Sequence, residues 1–153
     1  VMYLVGYVVM NLGAFGILSA ISGRGDTGLS LQDLAGLSKT NPWLAFAMAV
    51  FMLSMAGIPP TAGFAAKYYL FYSAVQAGET GIVIFGVLCS AISVYYYLRV
   101  LVYMYMKDPV ETVSTQKPLT PAWTALAVAM MVGMTLQLGV LPSKMVALTK
   151  KVV

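Results

Sequence analysis

The sequence predicts an all-α membrane protein of about four transmembrane helices, the second of them broken in its middle. Three observations carry this. Hydrophobic residues make up 60% of the 153 residues and charged residues only 9%, with a mean hydropathy of +0.85. A soluble domain carries roughly a quarter charged residues, so the polar side chains here are too few to clothe a surface in water. Long apolar runs reach the ~20 residues that cross a bilayer core. The longest of them is interrupted by GIPPTAGF, Gly57 to Phe64.

The first span covers residues 1–21. It carries no charge, and Asn11 is its one strongly polar side chain. An interhelical hydrogen bond is the expected use of such a residue in lipid. No basic segment precedes the run, so a signal peptide is not indicated. A chain that opens inside a span is expected to be a fragment, a single membrane-domain piece over 1–153 whose upstream helices are missing.

Residues 22–41 are rich in Gly, Ser and charge. Ser30 with Asp33 three residues later has the spacing of a capping box, with Asp in the usual Glu position. Leu31, Leu34 and Leu37 recur on one side. A short interfacial helix near 30–38 fits, as does a loop helix packed on its neighbours.

The second apolar stretch, 42–77, is too long for one straight span. Pro59 and Pro60 lack N–H groups and obstruct the preceding turn, and each biases the residue before it away from helix. Gly57 and Gly63 flank them with backbone freedom. The expected result is two half-helices joined by unwound backbone. Such backbone survives at membrane depth only where protein buries it or water lines it, and broken helices often mark ion pathways.

The third span, 81–106, follows the short break AGET. Gly86 and Ser90, like Cys89 and Ser93, stand four residues apart, a spacing that lets helices approach closely. Tyr95, Tyr96, Tyr97, Tyr103 and Tyr105 around Arg99 read as an interface belt with a snorkelling arginine. The last span, 122–141, begins beside Trp123, contains Gln137 and ends at Pro142.

The net charge of +4 comes from basic residues such as Arg24, Lys39, Lys107, Lys117, Lys144, Lys150 and Lys151. All flank apolar runs, as ordinary membrane-flanking charge does. The lipid bilayer is therefore the expected partner, and nucleic acid is not. The basic residues of the loops 22–41 and 107–121 place both loops on the cytoplasmic side. With one cysteine, no histidine and no Gly-rich fingerprint, no metal-ligand spacing or nucleotide motif is present.

Lys67 is the residue with chemistry to offer. It stands ten residues after Gly57, with Phe64 and Phe71 on its helical face, and no acidic residue lies in either half-helix. A charge at membrane depth costs several kcal/mol. It is accommodated by snorkelling, by pairing or by loss of the proton, and a lysine taken out of water gives up its charge more readily. Lys67 is thus either a snorkelling surface residue or a proton relay.

The run SMAGIPPTAGFAAKYYLF, then SAISVYYYLRV, together with YLVGYVVMNLGAF and LQDLAGLSKTNP, resembles the antiporter-like membrane subunits of respiratory complex I, the NADH–quinone oxidoreductase subunit N (subunit 2) family. The resemblance covers residues 3–106 well and the last span less closely. It implies about fourteen helices built from two inverted repeats of five plus extra helices, of which this chain would supply the last four. It makes Lys67 the proton-carrying residue of the second broken helix, and it puts the conserved glutamate and central lysines on helices upstream. It also implies other complex I membrane subunits as partners and a multi-pass location in the bacterial inner membrane. NADH, FMN, iron–sulfur clusters and quinone would belong to the whole complex, with no cofactor in this chain. Subunit L of the same complex, a subunit of a multisubunit sodium/proton antiporter and a purely structural scaffold are the alternatives.

Overall fold

The computed structural model describes residues 2–22, 30–108 and 122–140. They form α1 (Met2–Ser22), a 3-10 turn (Leu31–Leu34), α2 (Leu37–Thr40), α3 (Pro42–Ala56), α4 (Ala62–Gln76), α5 (Thr80–Met106) and α6 (Ala122–Val140). α1, α5 and α6 are long and apolar enough to cross a membrane, and α3 is a shorter apolar helix. The expected all-helical membrane architecture is therefore present, with the interrupted stretch resolved into α3 and α4. Arg24, Lys117, Pro142, Lys144, Lys150 and Lys151 lie outside the described residues.

α3 stands at the centre and packs on α1, α2, α4, α5 and α6. Its sequence is apolar on every side, the mark of a helix surrounded by others, and most of its fifteen residues are buried. Helices in lipid gain nothing from leaving water, so close packing of small and flexible side chains must hold them together. The core matches that need: Met10, Ala14, Ala45, Ala47, Met48 and Met104 are all buried. Phe51, fully buried, lies against Gly13 of α1, where a Cβ would come within 2.3 Å of its ring. The ring has no exposed side to swing toward. Gly13→Ala is accordingly expected to lower stability by about 1–3 kcal/mol, read as a drop in thermal midpoint in detergent. Gly16→Ala, which meets nothing within 4 Å, serves as the neutral control.

Residues 30–36 are fixed from both ends. The Ser30 N–H donates to Asp33 Oδ2 at 2.6 Å. Gly36, at φ +68°, turns the chain into α2 and donates its N–H to the Tyr103 carbonyl of α5 at 3.2 Å. Leu34 and Leu37 are buried in the core. Of the two readings open for these leucines, packing on neighbours is the one they adopt. Asn11 makes a local bond: its Nδ2 donates to the Tyr7 carbonyl one turn back at 2.8 Å. That carbonyl lies within reach of a side chain that stays partly exposed.

Lys39 pairs with Asp108, which brings the start of α3 and the end of α5 to the same end of the bundle. The Lys39 ammonium holds the Asp108 carboxyl below its ordinary range. A carboxylate lowered in the folded state stabilises above its unfolded pKa and loses that contribution as pH falls through the folded value. Both partners are well exposed, so the contribution is small and screened by salt. Lys39→Ala is expected to lower the thermal midpoint slightly at neutral pH. The difference should vanish in high salt or below the carboxylate range.

α5 is the outlying helix. Of its 27 residues only Met104 is buried. Arg99 sits within the last two turns or so, its guanidinium 5.9 Å from the Tyr103 ring centroid, while the Lys107 Nζ lies 4.1 Å from the same ring. Two cations thus gather on one tyrosine ring near the end of α5.

Candidate functional site: the helix break at Lys67

The break begins with Gly57. Its φ of +87° is open to glycine at little cost. Its N–H bonds back to the Leu53 and Ser54 carbonyls at 3.1 and 3.0 Å, and Ile58 N–H to Leu53 at 3.1 Å, which closes α3 with a left-handed cap. Pro59 and Pro60 cannot extend the helix. Thr61, in extended geometry, sends its hydroxyl to the Ile58 carbonyl at 2.6 Å, and α4 starts at Ala62.

Two helix ends therefore face one another with unmet backbone groups, carbonyls on α3 and N–H groups on α4. Each half-helix supplies partners to the other. The Lys67 ammonium of α4 donates to the Met55 carbonyl at 3.1 Å and the Ala56 carbonyl at 3.4 Å. Ser54 Oγ of α3 accepts the Gly63 N–H at 3.1 Å and donates to Met10 Sδ of α1 at 2.7 Å. The ammonium lies at the negative end of the α3 macrodipole, where a cation is favoured.

The residues singled out from sequence thus come together at one place. The Lys67 chain lies along Gly57, where a Cβ would sit 3.3 Å from its Cδ and 3.5 Å from Nζ. Gly63 is in backbone contact with α3, its Cβ position only 1.8 Å from the Ser54 carbonyl oxygen. Pro60 meets α6, because a Cβ on Gly139 would fall 2.1 Å from its carbonyl oxygen. Pro59 supplies the course of the chain. The flanking aromatics diverge: Phe64 is exposed and stacks near Tyr68, whereas Phe71 abuts Gly86 of α5.

Lys67 is half-buried, and its nitrogen turns back into the break. Beside it lies a cavity of about 250 Å³ lined by residues of α1, α3, α4 and α5, among them Tyr7, Ser54, Lys67, Ser90, Ser93 and Tyr97. A water occupies ~30 Å³ of liquid, so the space has room for several. Hydroxyls from three helices face it. Gly86 performs the close approach expected of the small residues on α5, while Cys89, Ser90 and Ser93 line the cavity instead. Among the described residues, no three His, Cys, Asp or Glu side chains converge as metal ligands do.

Sequence reasoning passed over Ser54, Met10 and Gly139. Ser54 had one visible signal, a hydroxyl in an otherwise apolar helix three residues before Gly57. Met10 and Gly139 had none, since their contacts cross between distant segments.

The family model for the NADH:quinone oxidoreductase/Mrp antiporter transmembrane region matches residues 1–93, which include the whole break and Lys67. The chain belongs to this antiporter family. NADH-quinone oxidoreductase subunit N of Trichlorobacter lovleyi is 44% identical over 151 residues, covering 99% of this chain and 31% of the relative. Subunit N 2 of Roseiflexus castenholzii is 43% identical over 152 residues, covering 99% and 30%. The chain therefore spans less than a third of the curated relatives it matches. Among solved structures, a chain of respiratory complex I from Thermus thermophilus with bound aureothin superposes with a TM-score of 0.82 at 37% identity, over 93% of this chain and 32% of that one. A chain of the Mrp complex from Dietzia sp. superposes with a TM-score of 0.76 at 22% identity, over 95% and 34%, and shares the fold. The resemblance of the motifs to subunit N is borne out by these antiporter-family relatives.

Proposed function

We propose that this chain is part of a proton-translocating membrane subunit of NADH–quinone oxidoreductase in the bacterial cell membrane, and that Lys67 is its proton relay. The observation that carries the reading is the place of the Lys67 nitrogen. It is held on two helix-end carbonyls inside a break, beside a cavity with room for water. An ammonium has three donors and no acceptor. Met55 and Ala56 can take two of them, and a proton on Lys67 can pass to water in the cavity. The neutral amine that remains can accept a proton again.

Redox chemistry with NADH, FMN, iron–sulfur clusters and quinone takes place in partner subunits. Charge changes there reach Lys67 through the remaining helices of the same subunit and alter its proton occupancy. The 43–44% identity to proteins named subunit N supports this reading over a sodium/proton antiporter subunit.

The test uses membrane vesicles holding the complete complex. NADH should acidify the lumen of inverted vesicles. A sodium-driven pH response of the isolated subunit without NADH would instead identify an antiporter. Orientation is checked separately. In a Cys89→Ala background, Lys39→Cys is expected to react with a membrane-impermeant thiol reagent only from the cytoplasmic side. Reaction from the opposite side overturns the assignment of the two charged loops to the cytoplasm.

A further inference from the structure

We infer that Ser54 is the positioning residue for Lys67, an inference that rests on the relay reading above. The Ser54 side chain is fully buried, and its one hydroxyl ties three helices. It donates its single proton to Met10 Sδ of α1 at 2.7 Å. That commitment leaves oxygen lone pairs for α4, and the Gly63 N–H takes one at 3.1 Å. Thr61 occupies the N-cap position of α4 but makes no side-chain cap bond, because its hydroxyl is turned to Ile58. Ser54, from the other half-helix, supplies the acceptor that the first turn of α4 needs.

Gly63 and Lys67 are four residues apart and so share a face of α4. Ser54, Met55 and Ala56 are consecutive on α3. The break is therefore a clasp with two points, Ser54 on Gly63 and Lys67 on Met55 and Ala56. The first point sets the rotation and advance of α4 relative to α3. The second depends on that setting, because a turn of α4 by one residue would carry the Lys67 stem away from the carbonyls. Ser54 acts on the relay through geometry and does not itself carry the proton.

The test compares Ser54→Thr with Ser54→Val in the complete complex, with Ser54→Ala as a third variant that adds no atoms and Lys67→Ala as the reference. The Thr and Val variants differ only in a hydroxyl, so an effect of packing moves both equally. The readout is protons pumped per NADH oxidised, normalised to assembled complex. The Val and Ala variants are expected to lose about tenfold, the scale of one buried donor left unmatched, and the Thr variant to retain most of the activity. Equal pumping by the Thr and Val variants, or full pumping by the Ala variant, overturns the role of Ser54. Undiminished pumping by Lys67→Ala overturns the relay reading itself, whatever the Ser54 variants do.

Discussion

Lys67→Ala in the complete subunit, assembled in its complex, is expected to cut NADH-driven proton pumping by roughly tenfold or more, since a positioned proton-transfer group commonly contributes at least that much. The variant takes away the ammonium that lies between the Met55 and Ala56 carbonyls and the cavity. It leaves the hydroxyls of the wall but no amine to hold and release a proton. Lys67→Arg separates charge from relay. A guanidinium can reach the same helix-end carbonyls and keep the break capped, yet it does not deprotonate in proteins. Pumping should therefore fall with Lys67→Arg although assembly is preserved. Both variants are read as proton uptake in inverted vesicles per NADH oxidised. A scaffold role predicts a different pattern, with less assembled complex and unchanged pumping by what does assemble. Normal normalised pumping by Lys67→Arg would show that charge alone is needed and would remove the relay.

Gly63→Ala is expected to cause the largest loss of stability among conservative substitutions in the break. The new Cβ would lie 1.8 Å from the Ser54 carbonyl oxygen and 2.7 Å from its carbon. Both are backbone atoms and cannot rotate aside, so α4 must move away from α3 as a unit. Overpacking a tight contact typically costs 1–3 kcal/mol, and the loss here should reach about 3 kcal/mol or more. The same displacement stretches the Gly63–Ser54 and Lys67–carbonyl bonds, so pumping by any assembled complex should fall as well. Thermal unfolding in detergent and the yield of assembled complex measure the first effect, and vesicle assays the second. Gly139→Ala, whose Cβ would meet the Pro60 and Thr61 backbone at 2.1–2.5 Å, should behave alike from the side of α6. Gly133→Ala, with open space around it, should be neutral. A neutral Gly63→Ala would mean that the two half-helices are free to part, and the clasp would lose its basis.

Much of the architecture was legible because it depends on local chemistry. Runs of apolar residues in lipid must form helices that meet their own hydrogen bonds, and two adjacent prolines after Gly57 must end one. The break, its four punctuating residues and the lysine beyond them could all be read in order along the chain. What Lys67 points at could not. Its stem is long enough to reach either a headgroup or a carbonyl, and counting residues does not choose. The leucines of 31–37 posed the same difficulty, since one apolar stripe suits lipid and protein equally. The small residues of α5 divide in a way their spacing does not show: Gly86 meets Phe71 of α4 closely, while Cys89, Ser90 and Ser93 line the cavity.

The sequence alone settled that this is a multi-helix membrane chain with one interrupted helix and a single charged side chain just beyond the interruption. Those features follow from hydropathy, proline and glycine, which act within a few residues of themselves. Only the tertiary structure decided that Lys67 closes the end of α3, that Ser54 closes the start of α4, and that α1 and α6 brace the gap between them. Each of those contacts joins residues distant in the chain through distances of a few ångströms, and such distances are set by how helices pack rather than by what any one segment prefers.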